Sequence, residues 1–260
     1  MNIVVLIKQT FDTEEKITLQ DGRISEDGVK FVINPYDEYA LEEALRLREA
    51  EGGLVTAVTC GPPRSEEALR TALAMGADEA VRLDDAGLSE GAAVAQALAE
   101  LIRPMAPDVL LAGLFAIDSG AGAVALQVAE RLGLPHVSAA VGLKLEADGG
   151  GGRTAVVERD AEGDTDTVAV PLPALITAQQ GLNEPRYPSL PGIMKAKRKP
   201  LRRVDIAELG LPAERLTPLT ERTDISLPPP RAAGRRLAGS PAEQAAELVR
   251  LLRTEAKLFP

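Results

Sequence analysis

Short apolar runs alternate with segments of helical periodicity along the first half of the chain. The runs are NIVVLIK (2–8), LVTAVTCG (54–61), EAVRLDD (79–85) and PDVLLAG (107–113). Continuous apolar runs of this length are typical of strands that are buried on both faces of a parallel sheet. The alternation of such strands with helices predicts an α/β fold, in which a mainly parallel, Rossmann-like sheet is sandwiched by helices.

Helix starts are marked by capping residues. In the stretch NPYDEYALEEALRL, Asn34 is a favourable N-cap, Pro35 fits the first helical position, and Asp37 suits the positive end of the helix dipole. Ser65 is expected to cap the next helix in the same way.

The pattern changes after Pro135. The stretches 136–147, 154–159 and 167–179 are strand-like and are joined by a glycine-rich hairpin and a polar turn. We expect these antiparallel additions to extend or cover one edge of the sheet.

The composition changes again after residue 200. The run SLPPPRAAGRRLAG indicates an extended linker with polyproline character, and SPAEQAAELVRLLR begins a helix with a capping box at Ser240–Glu243. We therefore expect an α/β domain over 1–200 and an extended C-terminal arm over 201–260, whose helix docks either on its own domain or on a partner.

Composition excludes several classes of function. The 260 residues carry a net charge of −10, which argues against nucleic-acid binding. The single cysteine, Cys60, excludes a disulfide framework and a multi-cysteine metal site, and the single histidine, His136, leaves little room for a Ser-His-Asp triad. No run approaches the ~20 apolar residues of a membrane span, and the N-terminus predicts a strand rather than a signal peptide. The expectation is a cytoplasmic protein without membrane insertion, without catalytic residues of its own and without a metal site.

The strand ends predict a ligand site. Lys8, Asn34–Asp37, Cys60 and the loop 113–122 all follow predicted strands, and in open parallel sheets such positions face one crevice. The loop is rich in glycine and opens a helix whose free N–H groups favour a phosphate. The residues thus indicate a nucleotide-binding module. The alternative is a helix of small residues that only packs closely on the sheet.

The stretch GAGAVA (120–125) formally fits the dinucleotide fingerprint G-x-G-x-x-A, which leaves an NAD(P)-dependent enzyme as an alternative. Residues 114–119 separate it from its strand, however, whereas the true motif follows directly. Asp118 could hold a ribose or adenine, or could be a plain turn residue. Cys60 follows an apolar strand without a neighbouring histidine, which favours an inert thiol over a catalytic one.

One basic segment, residues 185–199 (PRYPSLPGIMKAKRK), stands out in this acidic chain. Arg186, Lys195, Lys197, Arg198 and Lys199 surround the apolar Leu190, Ile193 and Met194, and no acidic residue lies among them. The residues alone permit two interpretations. One is a docking element for a partner, and the other is a short helix whose basic residues complement its own dipole.

Several segments together resemble the small (β) subunit of electron-transfer flavoproteins. They are KQTFD (8–12), INPYDEYALEEALRL (33–47), residues 59–80, GLFAID (113–118), RYPSLPGIMKAKRKPL (186–201) and ELVRLLRTEAKLF (247–259). The resemblance implies an adenine-nucleotide-binding fold, a heterodimer with a larger α subunit, FAD held mainly by that subunit, and one structural AMP in the β subunit. It also implies electron transfer from acyl-CoA and related dehydrogenases to a membrane quinone reductase.

The resemblance also implies a set of ligand-binding residues, with Tyr36 nearest to the flavin. The stretch SGAGAVA lacks the polar side chains that many members carry, so phosphate contacts would rest on backbone N–H groups and Ser119. Whether a second flavin replaces AMP in this pocket therefore stays open. The residues implied for the AMP pocket are Lys8, Asn34, Pro35, Tyr36, Asp37, Cys60, Ala116, Asp118, Ser119, Gly120, Gly122, Ala123, Val124 and Ala125.

In the same family the basic segment is a recognition loop, with Leu190 as its apolar anchor and Ile193, Met194 and Lys195 beside it. Its positive charge would steer the protein toward acidic dehydrogenase surfaces. A stand-alone adenine-nucleotide-binding module of the stress-response type is the remaining alternative. It would need neither the basic segment nor the long arm, so the expectation is the electron-carrier subunit.

Overall fold

The structure is a computed structural model that describes residues 1–85, 87–88, 90–231 and 233–259. Its strands are β1 (Asn2–Leu6), β2 (Gln9–Phe11), β3 (Leu19–Gln20), β4 (Arg23–Ile24), β5 (Phe31–Ile33), β6 (Leu54–Cys60), β7 (Glu79–Leu83), β8 (Val109–Gly113), β9 (His136–Ala147), β10 (Arg153–Asp160), β11 (Thr165–Pro171), β12 (Ala174–Ala178) and β13 (Leu201–Val204). Its α-helices are α1 (Pro35–Glu51), α2 (Glu66–Met75), α3 (Gly91–Ile102), α4 (Ala123–Leu132), α5 (Leu190–Ala196) and α6 (Pro241–Thr254).

The strands form one large sheet in the order β11-β10-β9-β12-β8-β1-β6-β7-β13. Its centre is parallel, since β1 pairs in parallel with β6 on one side and with β8 on the other. The predicted α/β class with a mainly parallel sheet is confirmed. The small sheets β2-β5 and β3-β4 lie in the chain between β1 and α1.

Each face of the sheet carries its own apolar core. Alternate residues of β1 divide between the two, as strand geometry requires. Ile3 and Val5 pack with buried residues of α1 and α2, while Val4 and Leu6 pack with buried residues of α3 and α4. Helices on both faces explain why the central strands read as continuous apolar runs.

The strands after Pro135 extend one edge of the sheet, as predicted. β9, β10 and β11 form an antiparallel meander. β12 then returns between β8 and β9 and pairs in parallel with both.

β13 forms the opposite edge, because it pairs in parallel with β7 from Leu201 to Val204. The domain boundary predicted after residue 200 lies immediately before this strand. The contacts instead place the division after Thr223: one compact unit comprises Met1–Ile17 and Ser25–Thr223, and the other comprises Thr18–Ile24 and the chain from Asp224 onwards. A change of composition marks polar linkers well, but it does not reveal that a short charged strand completes a sheet.

The second unit contains α6, whose predicted capping box is confirmed. The Ser240 hydroxyl accepts a hydrogen bond from Glu243 N, and the Glu243 carboxylate accepts one from Ser240 N. Leu248 and Val249 on this helix are exposed.

The predicted cap at Ser65 is wrong. A short 3₁₀ turn, Pro63–Ser65, precedes α2, so Ser65 already has helical backbone angles. Its hydroxyl donates to Pro62 O over 2.7 Å instead of accepting from the helix. In the part of the chain that the structure describes, no helix combines the length and apolar content needed to cross a bilayer.

Candidate functional site

The strand order reverses at β1. The chain runs outward from β1 through β6 and β7, then returns to the other side of β1 as β8. A crevice forms at such a switch point, beyond the carboxyl ends of the strands. Lys8 follows β1 and Gly113 ends β8, so these two strand ends lie on either side of the switch point.

Asp37, in the first turn of α1, joins these strand ends. One carboxylate oxygen accepts a hydrogen bond from Lys8 N over 2.7 Å, and the other accepts one from Gly113 N over 3.0 Å. Asn34 Nδ2 donates to the second oxygen as well, over 3.0 Å. The sequence predicts that Asp37 stabilises the dipole of α1 and contributes to the ligand pocket. Its main observed role is to hold two strand ends and the helix start together.

The environment of Asp37 opposes its charge. Burial raises the pKa of Asp37 to about 7, although the hydrogen bonds from Lys8, Asn34 and Gly113 favour the ionised form. The carboxylate is thus a structural group that titrates near neutrality.

Asn34 acts differently from the predicted side-chain cap. Its backbone carbonyl accepts from Asp37 N at the start of α1, but its side chain makes no capping bond. The carboxamide turns toward the loop after β8: Nδ2 donates to Phe115 O and Oδ1 accepts from Ile117 N, over 3.0 and 3.1 Å. This side chain therefore fixes the loop that leads to α4.

The loop also folds back on itself before α4. Ala116 N donates to Ala121 O, and Gly120 N donates to Ala116 O. Gly122 is the N-cap of α4 and makes no side-chain cap, so the first amides of the helix, at Ala123, Val124 and Ala125, lack a side-chain cap. Such amides favour an anion.

Lys8, after β1, and Asp118, in the loop after β8, form an ion pair. Lys8 Nζ lies 2.7 Å from Asp118 Oδ1, and the Ser119 hydroxyl donates to the same oxygen over 2.9 Å. The sequence permits Asp118 either as a ligand-binding residue or as a plain turn residue. The structure gives it two protein partners, and both were themselves predicted to bind ligand.

Two aromatic rings cover one side of the loop. The rings of Tyr36 and Phe115 lie 4.3 Å apart, centroid to centroid, at 41°. Sequence reasoning identified Tyr36 as a site residue but not Phe115. The position of Phe115, two residues after the end of β8, is the feature of the sequence that could have marked it.

Cys60 ends β6, the strand next to β1, and packs against the core on the α3 and α4 side. Burial raises the pKa of its thiol to about 12, and Asp85 and Asp84 add to the effect. The raised pKa supports the interpretation of Cys60 as an inert thiol rather than a catalytic one. Among the described residues, no cluster of His, Cys, Asp and Glu could hold a metal ion.

The basic segment contains α5 and presents apolar side chains to solvent. Leu190 is 81% exposed, Met194 73%, Ile193 44% and Tyr187 94%. Lys195, Lys197 and Arg198 are exposed too. Isolated exposed leucines are common, but four large apolar side chains within eight residues form a patch typical of interaction sites.

Sequence comparison relates the chain to one protein family. A family model described as "Electron transfer flavoprotein domain" matches residues 21–209. The electron transfer flavoprotein subunit beta of Bacillus subtilis (strain 168) is 49% identical over 262 residues, which cover 100% of both chains. The subunit of the same name from Syntrophomonas wolfei is 40% identical, covering 99% of this chain and 98% of that one, and the one from Mus musculus is 36% identical, covering 90% and 91%.

Proposed function

Because this chain belongs to the electron transfer flavoprotein family, whose β subunits it matches along its whole length, we propose that it is the small subunit of a heterodimeric electron carrier. The partner is a larger α subunit. The heterodimer accepts electrons from acyl-CoA and related dehydrogenases and delivers them to a membrane quinone reductase. The β subunit contributes binding and docking surfaces rather than catalytic residues.

The crevice at the switch point is the proposed site of a structural AMP. The fit rests on two features: the loop 113–122 is folded tightly on itself, and the first turn of α4 offers amides without a side-chain cap. A Cβ on Gly122 would lie 2.9 Å from Leu114 O, so only glycine allows this approach. Lys8, Asn34–Asp37, Cys60 and Ala116–Ala125 would surround the nucleotide.

The flavin chemistry belongs to FAD, which would be held mainly by the α subunit and would supply the electron storage of the complex. In this chain Tyr36 is the residue proposed to face it. The Phe115 ring packs against Tyr36, and α1 fixes the backbone of Tyr36 next to Asp37. The contribution of this chain is therefore to shape and enclose the cofactor site.

The single observation that carries the docking role is the 81% exposure of Leu190 at the first position of α5. An exposed leucine on a folded element can enter an apolar pocket of a partner as a binding hot spot. The exposed Lys195, Lys197 and Arg198 would steer the approach of an acidic dehydrogenase and raise the association rate. A carrier that must bind, exchange electrons and leave needs fast association more than tight binding.

The first experiment is to purify the chain with whatever accompanies it, denature the sample and identify the released molecules by mass spectrometry and absorbance. AMP and FAD together with a larger subunit are expected. Two flavins without AMP would indicate a second flavin in the crevice. A colourless monomer that releases ATP would favour the stand-alone module, and release of NAD would favour the dinucleotide enzyme.

The docking role has its own test. Leu190→Ala should raise the KM of an acyl-CoA dehydrogenase for the heterodimer while the bound FAD and AMP stay unchanged. Leu219→Ala is the matched control, because Leu219 is 80% exposed but lies outside the basic segment. Equal kinetics for the two variants would contradict the docking role.

A further inference from the structure

The N-terminal side of the basic segment is held by one arginine. Arg186 Nε lies 2.8 Å from Glu42 Oε2 and Nη2 lies 3.0 Å from Glu42 Oε1, so the guanidinium binds both oxygens of the carboxylate. The same guanidinium contacts Glu49 over 2.6 and 3.1 Å. Both glutamates belong to α1. Arginine thus connects the basic segment to two turns of one helix.

The pair of Arg186 and Glu42 is partly buried, which makes its geometry important. Burial of Glu42 opposes its charge, but the bonds from Arg186 and Arg46 outweigh this and hold the pKa of Glu42 below its usual value. Glu42 is only 3% exposed. A planar guanidinium can satisfy both carboxylate oxygens at once, whereas a lysine ammonium cannot.

A neighbouring side chain supports the same attachment. Asn183 Nδ2 donates to Tyr39 O and to Glu43 Oε2, both over 3.0 Å. The segment is therefore fixed to α1 before its exposed part begins.

The C-terminal side is fixed to α2. Lys199 Nζ donates to the carbonyl oxygens of Leu73, Gly76 and Ala77, at the end of that helix, over 3.1, 3.3 and 2.6 Å. Arg70 Nη1 donates to Ala196 O and Lys199 O, over 2.7 and 3.1 Å. Two of the basic residues in the segment, Arg186 and Lys199, are thus structural rather than free charges.

We propose that Arg186 is the positioning residue of the basic segment: it fixes the exposed Leu190 relative to α1, the helix that begins at the nucleotide crevice. This inference rests on the proposed docking function. Asn34 and Asp37 at the start of α1 hold the crevice loop, and Glu42 and Glu49 further along α1 hold Arg186. One rigid helix therefore relates the site of docking to the site of the cofactors.

Docking depends on the fraction of molecules in which Leu190 occupies the position that a partner can bind. A partner binds only the molecules whose Leu190 is in the competent position, so the apparent affinity falls in proportion to that fraction. Lys199 and Arg70 still hold the far end when Arg186 is removed. The part that can move is residues 184–190, because the backbone of Gly192 in α5 lies so close to α2 that a Cβ there would meet Ala74 O.

The test uses the intact heterodimer with Arg186→Met and Arg186→Lys. Hydrogen exchange within residues 187–194 should become faster in Arg186→Met, above all at the amides of Gly192 and Ile193, which donate to Ser189. The KM of an acyl-CoA dehydrogenase for the heterodimer should rise about tenfold at an unchanged kcat. Arg186→Lys keeps the charge but loses the two-oxygen contact, so it should lie between Arg186→Met and the parent. Arg203→Met is the matched control, because Arg203 also binds both oxygens of a glutamate, Glu66, but lies in β13.

Unchanged exchange of residues 187–194 in Arg186→Met would overturn the inference, even if the KM changed, since the effect would then be one of charge. An Arg186→Lys variant indistinguishable from the parent in exchange and in KM would overturn it too. The docking function fails separately: if Leu190→Ala leaves the KM unchanged, the basic segment does not dock, while the exchange data still decide whether Arg186 holds it.

Discussion

One carboxylate oxygen of Asp37 lies 3.0 Å from the amide nitrogen of Gly113, a residue 76 positions away in the chain, and this bond joins the start of α1 to the end of β8. The approach is possible because Gly113 has no side chain. A Cβ there would lie 2.6 Å from Tyr36 Cβ and 2.7 Å from the Tyr36 carbonyl carbon. The acidic residue of the helix start and the glycine of the strand end are thus one structural unit.

Gly113→Ala should destabilise the protein, because the added methyl group meets backbone as well as side chains. We expect a loss of about 1–3 kcal/mol or more in the free energy of unfolding, measured by urea denaturation. Gly150→Ala is the control, since a Cβ there would have its nearest neighbour at 3.5 Å. Equal stability of the two variants would show that α1 moves away from β8 at little cost.

Asp37→Asn should cost about 1–3 kcal/mol, because one of the backbone N–H groups of Lys8 and Gly113 would then face an NH₂ group instead of an oxygen. Thermal and urea unfolding both measure the effect. Asp148→Asn is the control at an exposed site: there a single carboxylate oxygen, Oδ1, accepts from both Gly150 N and Gly152 N, so an asparagine can keep both bonds and the loss should be small. A comparable loss in the control would assign the effect to the substitution itself rather than to burial.

The titration of Asp37 predicts a pH dependence of stability. Its pKa is about 7 in the folded protein against 3.8 as the reference value, so between these limits the folded state binds more protons than the unfolded state. The free energy of unfolding should therefore fall as the pH rises from about 4 to about 7. The difference between the parent and Asp37→Asn isolates this group. A difference that is constant over this range would mean that Asp37 is ionised throughout it.

Lys8 and Asp118 predict a charge effect on nucleotide binding. Lys8→Met leaves the Asp118 carboxylate without its ammonium partner beside the start of α4 and should weaken AMP binding by about fivefold. The double variant Lys8→Met/Asp118→Asn removes both charges and should bind AMP nearly as the parent does. Calorimetric titration of the nucleotide-free heterodimer measures both. Equal losses in the single and the double variant would instead assign the effect to the Lys8 side chain alone.

Cys60 should resist alkylation in the folded protein. Its pKa of about 12 leaves almost no thiolate at pH 8, and the thiolate is the reactive form. Mass spectrometry should show no iodoacetamide adduct on the native protein and full modification in denaturant. Rapid modification of the native protein would indicate a reactive thiol in the crevice.

The parallel sheet could be predicted from the sequence because its central strands are buried on both faces and are therefore continuous apolar runs. It placed Lys8, Asn34–Asp37 and the loop 113–122 around one crevice because parallel strands share an edge at their carboxyl ends. These inferences depend on periodicity and strand order, which a single sequence contains.

Pairings between distant side chains were beyond that reasoning. Nothing near Arg186 in the sequence indicates Glu42 and Glu49, and nothing near Lys199 indicates the carbonyl oxygens at the end of α2. For the same reason the sequence does not distinguish among the five basic residues of the segment, although Arg186 forms an ion pair with Glu42 and Lys199 donates to Ala77 O. The capping role of Asn34 was misjudged because its competing partners come from residues 115 and 117.

The position of Asn34 also affects how the protein ages. Asparagine side chains deamidate when the next backbone nitrogen attacks the carboxamide, and here the next residue is Pro35, whose nitrogen carries no hydrogen. The carboxamide that holds Phe115 O and Ile117 N is therefore protected by its own neighbour from this slow chemical damage. Conversion to aspartate would remove the donor to Phe115 O and place a second carboxylate beside Asp37. The loop after β8 is thus built on an asparagine whose commonest route of conversion to aspartate is blocked by the next residue.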